Sequence, residues 1–192
     1  MRLDPIPPEK LSAEQRPVYD RIDDGIRKYF QGFISKREDG ALVGIFNPLV
    51  RYPQFGGAAW EYIMALSEHS TLPRAPHEIA ILVVGAYFSS RYQIYAHEHV
   101  AALACLSAAK VATIDAGERP SDLTHEEGVA YDVASRLVHG GQMPETIYKV
   151  ALSTFGEQGL AELVYLVGAY CFIAAILNAY DVAVPGSGEP CG

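Results

Sequence analysis

Hydrophobic residues along the chain recur at the three- and four-residue spacing of amphipathic helices. Val18, Ile22 and Ile26 share one face of a first predicted helix, and Ser12 with Gln15 has the spacing of a capping box at its start. The same periodicity, interrupted by Gly and Pro, predicts further helices over about residues 55–66, 77–88, 91–106, 107–117, 124–139, 144–156 and 157–180.

No run of β-branched residues alternates with polar ones between turn signals, so the sequence predicts an all-α fold of about eight helices. Residues 1–184 are expected to form one domain, and the Gly- and Pro-rich residues 185–192 a flexible tail. Helical periodicity fails over residues 30–41, between Gly32 and Gly40. This stretch is expected to be a loop of the kind that borders ligand sites.

The closing helix is unusually apolar, because residues 163–180 contain no charged side chain. That length is close to the minimum for a membrane span. However, the segment includes Gly168, Asn178 and three tyrosines, and basic residues do not flank it. We therefore expect a helix buried on all sides, in the domain core or in a subunit interface, with the Asn178 amide bonded to backbone.

Composition narrows the possible partners. The chain has 15 Lys+Arg against 23 Asp+Glu, a formal charge of −8, with no basic stripe to bind nucleic acid or anionic lipid. Cys105, Cys171 and Cys191 are too widely spaced for a disulfide framework or a zinc site. The first residues do not resemble a secretory signal, so a cytoplasmic location is expected.

Groups capable of acid–base chemistry concentrate on two consecutive predicted helices. Glu78 opens the first, and Tyr92, Gln93 and His97 lie on the second. A hairpin of these helices brings Glu78 within reach of His97, with Gln93 one turn from His97 on the same face. His97 and His99 point away from each other on a helix, so no metal site is expected.

Each of these residues also has a purely structural interpretation. Glu78 could stabilise a helix N-terminus, and His97 could be a core histidine with a satisfied ring. Arg91 is a candidate for binding an acidic group, with a solvated arginine as the alternative. Tyr95 and its aromatic neighbours suit a flat ligand, or fill the core.

Three stretches, residues 11–22, 72–98 and 162–180, resemble the carboxymuconolactone decarboxylase-like family of the alkyl hydroperoxidase D-like superfamily, whose members are all-helical. The central stretch carries the family's Glu…Tyr-x-x-x-x-His pattern as Glu78, Tyr92 and His97. The resemblance implies an assembly into homotrimers or hexamers. It also implies that these three residues form the functional site.

The chain departs from the hydroperoxidase members of that superfamily at two positions. Ser90 and Gln93 stand where those members have the cysteines of a Cys-x-x-Cys motif, so peroxide reduction by a thiolate is not implied. His77 stands where many relatives have arginine, which makes any anion binding there dependent on pH. We take Ser90, Gln93 and His77, with Arg91 and Tyr95, as candidate substrate-binding residues.

The decarboxylase branch implies cofactor-independent chemistry, by a lyase or isomerase, on a small lactone or unsaturated carboxylic acid. In that assignment His97 is the general acid/base, Glu78 orients it or shares its proton, and Tyr92 donates a hydrogen bond to a substrate oxygen. Two alternatives stay open. One is a thiol-dependent oxidoreductase of the hydroperoxidase type that uses Cys105 or Cys171, and the other is a non-catalytic oligomer that binds a small ligand.

Overall fold

The computed structural model describes residues 2–186, and this part of the chain contains eight α-helices and no β-strand. The predicted all-α class is confirmed. A short 3₁₀ turn, Pro8–Lys10, precedes the helices α1 (Gln15–Tyr29), α2 (Phe46–Arg51), α3 (Pro53–Glu68), α4 (Arg74–Tyr87), α5 (Arg91–Leu103), α6 (Ala108–Asp115), α7 (His125–Val138) and α8 (Glu145–Ala179).

Local capping sets several of these helix starts. Thr124 and Glu127 form a capping box before α7, each side chain accepting a hydrogen bond from the other residue's backbone N–H. Ser12 and Gln15 make the same reciprocal pair at the start of α1, as the sequence predicts. Ser90 occupies the N-cap position of α5, but its side chain makes no capping bond.

α8 is interrupted at Gly156, whose φ of +69° and ψ of −179° are not helical. A positive φ is accessible to glycine without the steric penalty that a Cβ brings. The sequence predicts that one helix ends at Gly156 and another follows. The two arms, residues 145–155 and 157–179, bear out that break.

No pattern in the sequence predicts α2. Its six residues are too few to show a hydrophobic period, and α3 follows after Tyr52 alone. The two helices meet at Gly56, where an added Cβ would lie 1.9 Å from the backbone oxygen of Leu49. Only a residue without a side chain permits this approach.

Two clusters of buried hydrophobic side chains form the interior. α4 is the centre of the first cluster, with α6, α7 and most of α8 packed around it. The second cluster joins α1, α2, α3 and the beginning of α5 to the end of α8. Tyr170 on α8 contacts both clusters, and so marks the seam between them. The candidate site lies at this seam.

The second arm of α8 buries only one face within the chain, so the domain core alone does not bury it on all sides, and the predicted burial in a subunit interface stays a prediction. Leu163 and Leu166 are buried, whereas Tyr165 is 62% exposed and Phe172 is exposed as well. Asn178 donates to the carbonyl of Phe88 at 2.7 Å, the expected bond to backbone. Within residues 2–186, α8 is the one helix long and apolar enough for a membrane span, and half of its most apolar window is buried.

Residues 30–45 form the predicted loop and extend it by four residues. An isolated antiparallel bridge joins Lys36 to Leu42, and the Tyr19 hydroxyl on α1 donates to the carbonyl of Gly40 at 2.8 Å. Lys36 also forms an ion pair with Asp23 of α1. The loop is thus attached to α1 through Lys36 and Gly40. Its contacts with α5 are described with the candidate site. Of the predicted tail, residues 185–192, the part beyond residue 186 lies outside the described residues.

Candidate functional site

Glu78 and His97 meet across the α4–α5 hairpin. The Oε2 atom of Glu78 lies 2.8 Å from Nδ1 of His97, although the residues are 19 positions apart. Only 5% of Glu78 is exposed. An ionised carboxylate can only accept hydrogen bonds, so Nδ1 of His97 must be the protonated donor. The Nε2 atom is then the ring nitrogen that carries a lone pair in neutral His97.

A second imidazole contacts the other oxygen of the same carboxylate. Nδ1 of His77 lies 3.2 Å from Oε1 of Glu78. Burial alone would raise the pKa of Glu78, but the charge of His97 and the hydrogen bonds from both imidazoles outweigh it and hold the pKa at about 2. Glu78 is therefore ionised at neutral pH, despite its burial.

His97 lies on the wall of a small apolar pocket at the seam between the two hydrophobic clusters, with a cavity volume of about 40 Å³. The ring of Tyr170 packs edge-on against the imidazole, with 5.0 Å between ring centroids. Burial and the negative charge of Glu78 raise the pKa of Tyr170, so its phenol stays protonated. The lining residues are Phe30, Phe33, Ile45, Phe46, Ile63, Tyr92, Gln93, Ala96, His97, Tyr170, Ile173 and Leu177.

On the other side, Glu78 and His77 line a wide cleft of about 530 Å³. Its walls include Lys28 and Arg74 as well as two serines, so it is polar and positively charged in part. The Glu78–His97 pair therefore lies between an apolar pocket and a polar cleft. His77 therefore lines the cleft and not the pocket, although it shares a smaller cavity with Ile63, Tyr170 and Ile173 of the pocket wall.

Tyr92 lines the pocket with its ring, while its hydroxyl contacts the loop. The hydroxyl donates to the carbonyl of Ile34 at 2.7 Å, and the backbone N–H of Ile34 donates to the hydroxyl of Tyr95 at 3.3 Å. Burial raises the pKa of Tyr92, so this phenol is a donor and not an anion. Tyr95 is absent from the pocket lining, and its hydroxyl holds the loop instead.

The remaining predicted substrate-binding residues occupy different surroundings. Gln93 lines the pocket, and its Nε2 donates to the carbonyl of Ile81 at 3.0 Å. Ser90 is fully buried and lines neither the pocket nor the cleft. Arg91 is largely exposed and lies 3.8 Å from Asp181, in a separate surface depression. Of the five, only Gln93 therefore shares the pocket with His97.

Most of the apolar pocket lining, including Phe30 and Phe33, was not assigned to the site from the sequence, and Tyr170 was considered only as ring surface for a flat ligand or as core filling. Tyr170 lies on the closing helix, about seventy positions after His97, where its spacing indicated core filling. Phe30 and Phe33 belong to the predicted loop, whose position near a ligand site was the only available signal. Local patterns do not carry information about such long-range contacts.

Cys105, Cys171 and His99 line neither the pocket nor the cleft. Cys105 is exposed after the end of α5, and burial raises the pKa of Cys171, which disfavours its thiolate. Nδ1 of His99 lies 2.8 Å from the carbonyl of Tyr95 on its own helix. No group of three His, Cys, Asp or Glu side chains arranged to hold a metal ion occurs among residues 2–186.

Chemically, the site pairs an imidazole with a buried, ionised carboxylate. When Nε2 of His97 takes up a proton, the resulting imidazolium is stabilised by Glu78 in surroundings of low polarity. Such a pair can move a proton to or from a bound molecule.

In comparisons with models of known protein families and with curated proteins, the chain has no match.

Proposed function

We propose that this protein is a cofactor-independent lyase or isomerase that acts on a small lactone or unsaturated carboxylic acid. The single observation that carries the proposal is the 2.8 Å contact between the ionised Glu78 and His97 on the wall of an apolar pocket. The Glu…Tyr-x-x-x-x-His pattern adds to it, because it resembles that of the carboxymuconolactone decarboxylase-like family.

In the decarboxylation, the C–C bond to the substrate carboxylate breaks and carbon dioxide leaves. The electron pair passes into the conjugated carbonyl group as an enolate, and protonated His97 then delivers its Nε2 proton to carbon. His97 regains a proton from water. Glu78 holds the imidazole in the Nδ1–H tautomer and stabilises its charged form. In an isomerisation, the same nitrogen would remove a proton from one carbon and return it to another.

Tyr92 is proposed as the donor to the developing enolate oxygen, and this role requires its hydroxyl to leave Ile34. The cavity of about 40 Å³ is also too small for a ring-sized acid. Phe30, Phe33 and Ile45, at the ends of or within the loop, form one wall of the pocket. Displacement of this loop by substrate would enlarge the pocket and release the Tyr92 hydroxyl together.

The proposal is tested by turnover of 4-carboxymuconolactone, generated in situ, with metal-stripped protein. We expect His97→Ala to lower kcat by about 10²–10⁴-fold, because proton transfer to carbon loses its donor. Glu78→Gln should also lower kcat, since it removes the charge that stabilises the imidazolium. His99→Ala, an exposed histidine on the same helix, is the matched control and should keep wild-type turnover.

Full turnover by His97→Ala would contradict the acid–base assignment. Inactivity of the wild-type protein would reject this substrate, and larger lactones and acids would then be assayed against the same variants. If His97→Ala lowers the melting temperature and none of these compounds reacts, the non-catalytic ligand-binding oligomer becomes the better description.

A further inference from the structure

The pocket contains one buried hydrogen-bond acceptor that the protein does not use. Gln93 is 2% exposed, and its Oε1 atom has no hydrogen-bond partner in the described structure. The carbonyl of Ile81 can only accept, so it fixes Nε2 as the amide atom that faces it and Oε1 as the atom left over. A buried acceptor without a donor costs free energy, and such groups in proteins usually meet a ligand or an ordered water.

Among residues 2–186, two other buried side-chain atoms have neither a hydrogen-bond partner nor an ion pair, namely Arg51 Nε and Ser90 Oγ, whereas Asp23 Oδ1 without a hydrogen bond is paired with Lys36. None of those residues lines the pocket that contains His97, whereas Gln93 does. Gln93 also lies one helical turn before His97, on the same face of α5. The unused acceptor and the candidate proton carrier therefore belong to one pocket.

Gln93 offers a ligand only an acceptor, because its Nε2 already donates to Ile81. Nε2 of His97 accepts when the ring is neutral, since Nδ1 then holds the proton donated to Glu78, and donates when the ring is protonated. The Tyr92 hydroxyl donates to Ile34, and the rest of the lining is aromatic or aliphatic apart from the Tyr170 phenol. An ionised carboxylate of a ligand placed at Gln93 would set one acceptor against another. A hydroxyl or N–H group would satisfy it.

We propose that Gln93 is a specificity-determining residue, whose Oε1 accepts a hydrogen bond from a hydroxyl or enol group on a small unsaturated ring compound. The inference rests on the proposed function, since it takes this pocket as the place where substrate binds. It narrows that substrate to lactones or acids with a hydrogen-bond donor on the ring, and it directs any ionised carboxylate away from Gln93.

The test uses phenol and toluene, two probes of similar shape of which only phenol has a donor. Dissociation constants for both are measured by NMR titration with the wild-type protein, Gln93→Met and His97→Phe. Gln158→Met, the same change at an exposed position, is the control. We expect the preference for phenol, as the ratio of toluene to phenol dissociation constants, to fall about tenfold in Gln93→Met and to be unchanged in Gln158→Met.

An unchanged ratio in Gln93→Met would overturn the inference, and so would a ratio that falls only in His97→Phe. Failure of phenol to bind the wild-type protein would also overturn it. Because Gln93→Met could perturb folding, a second measurement uses the wild-type chain alone. The side-chain ¹³Cδ resonance of Gln93 should shift with phenol and not with toluene, and an equal response to both would contradict the inference.

Neither measurement depends on turnover, so the two proposals fail separately. A protein that prefers phenol through Gln93 but has no lyase activity would leave this inference standing and reject the reaction. If a lactone acid is turned over but Gln93→Met leaves the preference for phenol unchanged, the proposed reaction stands and the inference about Gln93 is rejected.

Discussion

At the scale of single residues, the controlling feature is a carboxylate that stays ionised although it is buried. Glu78 alone would take up a proton in such surroundings, because burial penalises the charged form. Contacts with the imidazoles of His77 and His97 reverse that tendency. The same contacts that fix the tautomer of His97 therefore also stabilise the fold.

This reversal predicts an acid dependence of stability. The pKa of Glu78 is lowered from 4.5 to about 2 on folding, so its contribution is fully present above about pH 4.5 and is lost as the pH falls towards about 2. The contribution lost should be about 3 kcal/mol. Urea unfolding at a series of acidic pH values, for the wild-type protein and Glu78→Gln, measures it.

Other carboxylates also titrate in this range, so the informative quantity is the difference between the two proteins. The free energy of unfolding of the wild-type protein should exceed that of Glu78→Gln above about pH 4.5, and this difference should shrink as the pH falls. A difference in free energy of unfolding that stays constant with pH would show that Glu78 does not have a lowered pKa.

At the scale of secondary-structure elements, the loop of residues 30–45 is attached to α5 by two tyrosines. Both bond the backbone of Ile34, Tyr92 at its carbonyl and Tyr95 at its N–H. The loop supplies one wall of the pocket, so access to His97 depends on how firmly this attachment holds. Both attachments are single hydrogen bonds to tyrosine hydroxyls. Within the loop, the regular structure is limited to the isolated bridge between Lys36 and Leu42.

Tyr95→Phe should therefore loosen the loop without unfolding the protein. The N–H of Ile34 would lose its acceptor, and we expect faster amide hydrogen exchange at Ile34 and the residues around it, while the amides of α4 keep their protection. Tyr87→Phe, at an exposed tyrosine on α4, is the control. Equal exchange at Ile34 in both variants would show that the Tyr95 bond does not hold the loop.

The contact between α2 and α3 is the second feature at this scale. Gly56→Ala would place a Cβ 1.9 Å from the backbone oxygen of Leu49, where no side-chain movement can relieve the clash. We expect the free energy of unfolding to fall by about 1–3 kcal/mol or more, measured by urea denaturation. Gly57→Ala, the next residue of the same helix, is the control, because a Cβ there meets only side chains, the flexible end of Arg21 at 3.3 Å and Val18 at 3.8 Å. If the urea midpoint of Gly56→Ala equals that of the wild-type protein, α2 and α3 can move apart without loss of stability, which would contradict the prediction.

At the scale of the whole molecule, one apolar surface is left uncovered. Between residues 161 and 175 of the second arm of α8, the exposed side chains are small or apolar, and none of them is charged. A contiguous patch of this kind commonly marks an interface between proteins. The residues are Ala161, Val164, Tyr165, Gly168, Phe172 and Ala175.

The homotrimer or hexamer implied by the family resemblance would cover this face. We therefore expect light scattering to give a wild-type mass of three or six times the 20.9 kDa of one chain. Replacing Tyr165 and Phe172 together by Glu should shift it to the monomer mass, because burying two carboxylates in an interface is unfavourable. Tyr148→Glu, on the exposed surface of the first arm, should leave the mass unchanged. A monomeric wild-type protein would contradict the prediction.

The sequence by itself determined the features that depend on neighbouring residues. Helical periods, the capping pairs Ser12–Gln15 and Thr124–Glu127, and the break at Gly156 all involve residues within about four positions of each other, so their patterns can be read along the chain. The contact of Glu78 with His97 could also be predicted, because a hairpin of two consecutive helices brings together only a few positions.

Only the tertiary structure decided the features that depend on distant parts of the chain. It placed Tyr170 against His97, gave the Tyr92 and Tyr95 hydroxyls to the loop, and moved Arg91 and Ser90 away from the pocket. It also showed which face of α8 the core of one chain buries and which face is left for the predicted subunit interface. Periodicity reports which residues share a face, whereas the packing of helices far apart in sequence determines what each face meets.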